Sequence, residues 1–159
     1  MSELDTYLTL DGQAFIAPQY SIWLDARRKA DWSCPDYVVL DFRHKHVVVV
    51  EETKAFRPEK LIGKVIGRGE QWYSRLSAFL VRQNVVSEDW HIRCLLVMRS
   101  DIIEKYKSQL KDQLDVSFLT LEDCSFPWKF HDRRMQEGIQ GNESVSAKTV
   151  GEWASNSEY

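Results

Sequence analysis

The sequence predicts an α/β fold in which a central mixed β-sheet is flanked by helices. Two β-rich runs, residues 36–42 and 47–54, stand on either side of a four-residue polar break. Further apolar runs at 90–98 and 116–121 alternate with segments of helical periodicity at 59–83 and 102–114. Strands, helix, strand, helix, strand is the order of a sheet covered by helices. The chain has 159 residues, 43% hydrophobic and 28% charged. That is the balance of an ordinary soluble domain, and the length suits a single core.

Residues 13–24 hold Phe15, Ile16, Tyr20, Ile22 and Trp23 around Pro18, and are expected to be a strand or a strand and turn. Residues 25–32 are charged and expected to be a loop or one helical turn. Pro35 forces Cys34 to be extended. The next run, Asp-Tyr-Val-Val-Leu-Asp-Phe, is a strand, and Arg43-His44-Lys45-His46 breaks it. So short a break makes the 47–54 strand an antiparallel neighbour. Four successive valines, 47–50, imply that this strand is buried on both faces. Pro58 opens the 59–83 helix, whose continuity Gly63, Gly67 and Gly69 weaken. Ser100 or Asp101 is expected to cap the 102–114 helix, with Ile102, Ile103, Tyr106 and Leu110 on its apolar stripe. One domain over 1–132 is therefore expected, followed by a flexible polar tail over 133–159 in which Trp153 is the one anchor.

Composition narrows the function. No apolar run approaches the roughly 20 residues of a membrane-spanning helix, and the acidic start lacks the features of a secretion signal. A cytoplasmic location is expected. Cys34, Cys94 and Cys124 are far apart and odd in number, which argues against zinc knuckles and disulfide frameworks. His44 and His46 alone make a poor metal site. The net charge of −3 excludes indiscriminate coating of nucleic acid, so contact with it would need a local basic patch.

The chemistry-bearing residues lie on the hairpin. Asp36 opens its first strand, and Glu52 and Lys54 end its second. Strand alternation puts Glu52 and Lys54 on one face, with Glu51 and Thr53 on the other. Antiparallel pairing then brings Asp36 beside them. Two carboxylates there suit Mg²⁺, or Mn²⁺ in its place, with the Thr53 carbonyl as a further ligand. Such an ion acidifies water and offsets charge on a phosphodiester, while Lys54 orients the attacking water and offsets charge on phosphorus. The doublet leaves a second register open, with Glu51 as the ligand and Thr53 in the place of the lysine. Glu52 is preferred because only it shares a face with Lys54.

Pro35-Asp36, a hairpin and Glu52-Thr53-Lys54 together resemble the signature of the PD-(D/E)XK nuclease superfamily. The resemblance covers about residues 34–55, with compatible elements as far as residue 121. It implies a restriction-endonuclease-like core and a Mg²⁺-dependent nuclease, endo- or exonucleolytic, with Asp36, Glu52 and Lys54 catalytic and DNA as the expected substrate. It also implies an acidic residue from an upstream helix, for which Glu3, Asp5 and Asp25 are candidates, and a glutamine on the following helix, which Gln71 matches.

Spaced at 100° on one helix, Lys60, Lys64, Arg68, Gln71, Arg75 and Arg82 form a narrow stripe beside an apolar face. Lys60, Lys64, Arg68, Gln71 and Arg75 are therefore expected to grip nucleic acid through its phosphates. RNA is an alternative substrate, since phosphate contacts carry no sugar or base information. A nuclease-fold binding module without catalysis, recruiting a protein partner through Trp153 and the tail, is the alternative function.

Overall fold

The computed structural model describes residues 2–23, 32–145 and 147–156. A five-stranded mixed sheet forms its centre. The strands are β1 (Ala14–Pro18), β4 (Tyr37–Asp41), β5 (His46–Glu52), β6 (His91–Met98) and β7 (Val116–Thr120), side by side in that order. A separate two-stranded ribbon joins β2 (Ile22–Trp23) to β3 (Trp32–Ser33). Between them lie residues 24–31, so the charged loop expected there and the candidate Asp25 fall outside the described residues. β1, β4 and β5 form an antiparallel meander, and β5, β6 and β7 run parallel. The expected hairpin pairs Tyr37 with Val50 and Asp41 with His46, and Lys45 turns it with a φ of 55°. β5 is central because its valines, wholly apolar and β-branched, can face protein on both sides.

Alternation along β5 sends Val48 and Val50 into one core and Val47 and Val49 into another. The first core lies under α1 (Glu3–Thr9), α5 (Leu121–Ser125) and α6 (Pro127–Glu137), and contains Leu4, Leu8, Val39, Leu95, Val97, Phe130 and Ile139. α1 starts at a capping box in which Ser2 and Asp5 bond reciprocally. The second core lies under α2 (Glu59–Ile66), α3 (Ser74–Arg82) and α4 (Ile103–Gln109), and includes Ile62, Val65, Trp72, Leu76, Cys94, Leu96 and Tyr106. Among the described residues no helix is long and apolar enough to cross a membrane.

Three expectations are corrected. The 59–83 helix is interrupted: a π-helical turn (Gly69–Tyr73) separates α2 from α3. The wider turn resets the angle between residues on either side, so one 100° wheel does not describe the segment. α4 is shorter than expected and starts without a side-chain cap. Asp101 instead pairs with Arg99 at 2.6 Å.

The segment from residue 133 is ordered into the fold where it is described. It contains the end of α6, then a loop, and then α7 (Val150–Ser155), which packs on α3. Ile139 and Val150 are buried in the two cores, and polar anchors add to them. Arg134 is buried and donates to the carbonyls of Tyr7 and Leu8 and to Asp11. Arg93 on β6 is buried too, and donates to the carbonyls of Ile139 and Gln140. Trp153 meets the Tyr73 ring edge-on at 5.4 Å, so it is engaged within its own chain.

Candidate active site

The C-terminal end of β5 opens on a cleft of about 480 Å³ lined by Pro18, Gln19, Asp36, Tyr37, Glu52, Thr53 and Lys54. Each is placed by the meander. β1 contributes Pro18, the bend before β4 contributes Asp36, and β5 runs out through Glu52 into Thr53 and Lys54. The Glu52 amide donates to Asp36 Oδ2 at 2.7 Å, which fixes one carboxylate against the backbone of the other. The Thr53 amide donates to the Val97 carbonyl, holding the strand end to β6. Gln19 adopts a φ of 51° and donates its amide to the Asp36 carbonyl at 2.8 Å. A left-handed glutamine is uncommon, and no local pattern in the sequence marks it.

The two glutamates face opposite layers. Glu51 is buried on the α2 side, where Lys64 of α2 partly offsets its charge. Burial, reinforced by the adjacent Asp36 carboxylate and a hydrogen bond with it, pushes the Glu51 carboxyl up to about 8. Glu52 is half-buried and faces the cleft. Burial raises its carboxyl pKa, Lys54 opposes the rise, and Asp36, Glu3 and Asp5 add to it. That pattern puts Glu52 on the α1 side, in the field of both acidic candidates of α1. Asp5 itself bonds the Ser2 amide at 2.9 Å, and Ser2 Oγ lies 3.3 Å from the hydroxyl of Tyr37, a cleft residue with no signal in the sequence.

The Asp36 and Glu52 carboxylates that line the cleft suit a hard divalent ion. Among the described residues no three His, Cys, Asp or Glu side chains cluster closely enough to hold an ion by themselves. Mg²⁺ does not require three, because it retains waters and takes one or two carboxylates together with substrate phosphate.

The basic stripe is not reproduced. Among the described residues that line the cleft there is no Lys60, Lys64, Arg68, Gln71 or Arg75. Lys60 and Lys64 are exposed on α2. Arg68 turns inward, bonding Asp115 through Nε at 2.6 Å and also Gln113 and the Val65 carbonyl. Gln71 is half-buried in the π-helical turn, and Arg75 lines a separate concavity on α3.

His44 and His46 are occupied as well. His44 Nδ1 is 3.0 Å from Asp41 Oδ2, and its Nε2 is 2.8 Å from Asn142. His46 Nδ1 accepts from Arg93 Nε at 3.1 Å. Comparison with protein-family models, with curated proteins and with solved structures finds no match to this chain.

Proposed function

We propose that this chain is a metal-dependent phosphodiesterase that hydrolyses nucleic acid, with DNA as its principal substrate. One observation carries the reading: Asp36, Glu52 and Lys54, from separate parts of the hairpin, line a single water-accessible cleft. Two carboxylates and a lysine converging on one cleft is the residue set that metal-assisted hydrolysis of a phosphodiester uses.

Asp36, Glu52 and the Thr53 carbonyl would hold a divalent cation such as Mg²⁺. When bound, such an ion supplies positive charge that acidifies water and offsets the charge of the phosphodiester. The residues do the remainder. The Glu52 amide keeps Asp36 from swinging out of the cleft. The Lys54 side chain, exposed at the rim, offers three donors to a phosphate oxygen or to the attacking water. Water oxygen bonds to phosphorus as the bond to the departing sugar oxygen breaks, and the proton lost by water balances the one that oxygen takes up. Lys54 offsets the negative charge that accumulates in between.

The glutamate doublet provides the test. Glu52→Gln keeps size but removes the charge a hard cation needs, so cleavage of DNA in Mg²⁺ or Mn²⁺ should fall by at least about a hundredfold, as it should for Asp36→Ala and Lys54→Ala. Glu51→Gln, on the opposite pleat face from Glu52 and Lys54, should retain most of the rate. A dead Glu51→Gln beside an active Glu52→Gln would shift the register by one residue and remove Lys54 from its role. A wild-type chain that cuts in none of these metals would overturn the reading.

A further inference from the structure

The five-stranded sheet ends in β7 on one side and in β1 on the other. The β7 edge is covered by its own chain. Gln140 donates its side-chain amide to the Phe118 carbonyl, and its backbone carbonyl accepts from Ser117 Oγ at 3.2 Å. β1 has no such cover among the described residues. Its bonds to β4 identify the groups that face away. The Gln13 carbonyl accepts from the Phe42 amide at 2.9 Å, and the Gln19 amide donates to the Asp36 carbonyl at 2.8 Å. These two bonds flank an unbroken register from Ala14–Asp41 to Pro18–Tyr37. Antiparallel bonding alternates, so Phe15 and Ala17 bond to β4 while Ala14, Ile16 and Pro18 turn their backbone groups outward. Proline has no N–H. The edge therefore presents two donors, on Ala14 and Ile16, and three carbonyl acceptors, and no described residue pairs with either donor.

The strand also lacks the usual protection of an edge. Ala-Phe-Ile-Ala-Pro carries no charge, whereas edge strands left to water generally bear lysine or another charge that discourages pairing between chains. Phe15 is 71% exposed, and it meets the ring of Phe42, itself 43% exposed, edge-on at 5.4 Å. Ile16, on the opposite face, packs on the core beneath α1.

This edge is complementary to itself. Around a two-fold axis at Ile16, an antiparallel second β1 would exchange both Ile16 bonds with its own copy. Each Ala14 N–H would meet the Pro18 carbonyl of the other copy. Every outward donor then has an acceptor, and the N–H that proline lacks deprives no donor. On the exposed face, Phe15 of each copy falls opposite Ala17 of the other, a large ring over a small side chain.

We propose that β1 is the interface of a homodimer in which two copies of the sheet join, antiparallel, into one continuous sheet. The arrangement is closed, because it uses the open edge of both copies and leaves outside only the β7 edges that Gln140 covers. Five residues a side make a contact smaller than the roughly 800 Å² per partner of standard complexes, so the dimer exchanges with monomer. The interface does not depend on the catalytic reading of the cleft.

Sedimentation equilibrium of the full chain, from micromolar to near-millimolar concentration, is the test. Wild type should pass from one copy to two and no further. Phe15→Lys puts a charge at an already exposed position. It should weaken association by about tenfold, the loss of two cross-strand pairs, and should melt with the wild type when both are dilute. The register is read by cross-linking in a Cys34→Ser background. Phe15→Cys and Ala17→Cys chains should form a disulfide on mild oxidation when mixed, and far less of it when either is alone. A monomer at every concentration, a dimer that Phe15→Lys leaves unweakened, or cross-linking indifferent to mixing would overturn the interface. Growth beyond two copies would overturn it too, since the pairing would then not be closed.

Discussion

His46 has a ring nitrogen committed by its neighbour. Arg93 Nε can only donate, so Nδ1 of His46 must accept and is unprotonated. Burial, with the nearby Arg93, His44 and His91 adding to it, lowers the pKa of that imidazole to about 3. The folded value lies below the unfolded one of about 6.5. Between those limits the unfolded chain binds the extra proton, so stability is lost as pH falls from about 6.5 toward 3. One proton is worth at most about 1.4 kcal/mol per pH unit. Chemical denaturation across that range should show this slope in the wild type and a shallower one in His46→Gln. Identical slopes would mean that other groups set the acid limit. Gly141 is a second residue with little freedom. Its φ is +89°, and an added Cβ would lie 2.3 Å from Cβ and Oγ of Ser117. Gly141→Ala should destabilise by about 2–4 kcal/mol in denaturant melts, strain and overlap together.

At the scale of elements, what was legible followed one rule. Where a segment reports burial by period-two or continuous apolar residues, as β4, β5, β6 and β7 do, its type could be read directly, and the short break between β4 and β5 gave their pairing as well, whereas the parallel pairing of β5 with β6 and of β6 with β7 carried no such local signal. Strand alternation also separated Glu51 from Glu52, because a single side-chain period decides that question. The π-helical turn was not legible: Gly63, Gly67 and Gly69 hinted at discontinuity, but a change of turn width is a backbone choice that side-chain periodicity does not encode. Arg68, which precedes that turn, was misplaced because its partner Asp115 is 47 positions away in the sequence. The 133–159 segment misled differently. Its poverty in apolar residues suggested no core to join, whereas Arg134 and Arg93 fasten it by donating to carbonyls. Trp153, on α7 against the π-helical turn, adds to the apolar attachment that the buried Ile139 and Val150 make. Trp153→Ala should therefore cost ~2 kcal/mol, less than a fully buried tryptophan, and loosen α7 first. Hydrogen exchange that accelerates at 147–156 before the rest of the chain would show it, and uniform acceleration would deny α7 a separate step.

For the molecule as a whole, a cation that binds only the folded chain must stabilise it. At a hundred times Kd the gain is about 2.7 kcal/mol. The wild-type Tm should rise when Mn²⁺ replaces EDTA and should not do so in Glu52→Gln. Equal rises in both would place the ion elsewhere. The sheet order has a further consequence, for the chain as it is being synthesised. Every described residue that lines the carboxylate cleft lies between Pro18 and Lys54, whereas the strand that covers the far side of β5 begins only at His91. Until β6 has emerged from the ribosome, the valines of β5 form an open sheet edge, apolar on both faces, uncharged and without proline. Such a segment templates the pairing of one chain with another. The cleft-lining part of the chain is thus complete while its most association-prone strand is still bare, and fragments ending before residue 90 should precipitate where those extending past β7 remain in solution.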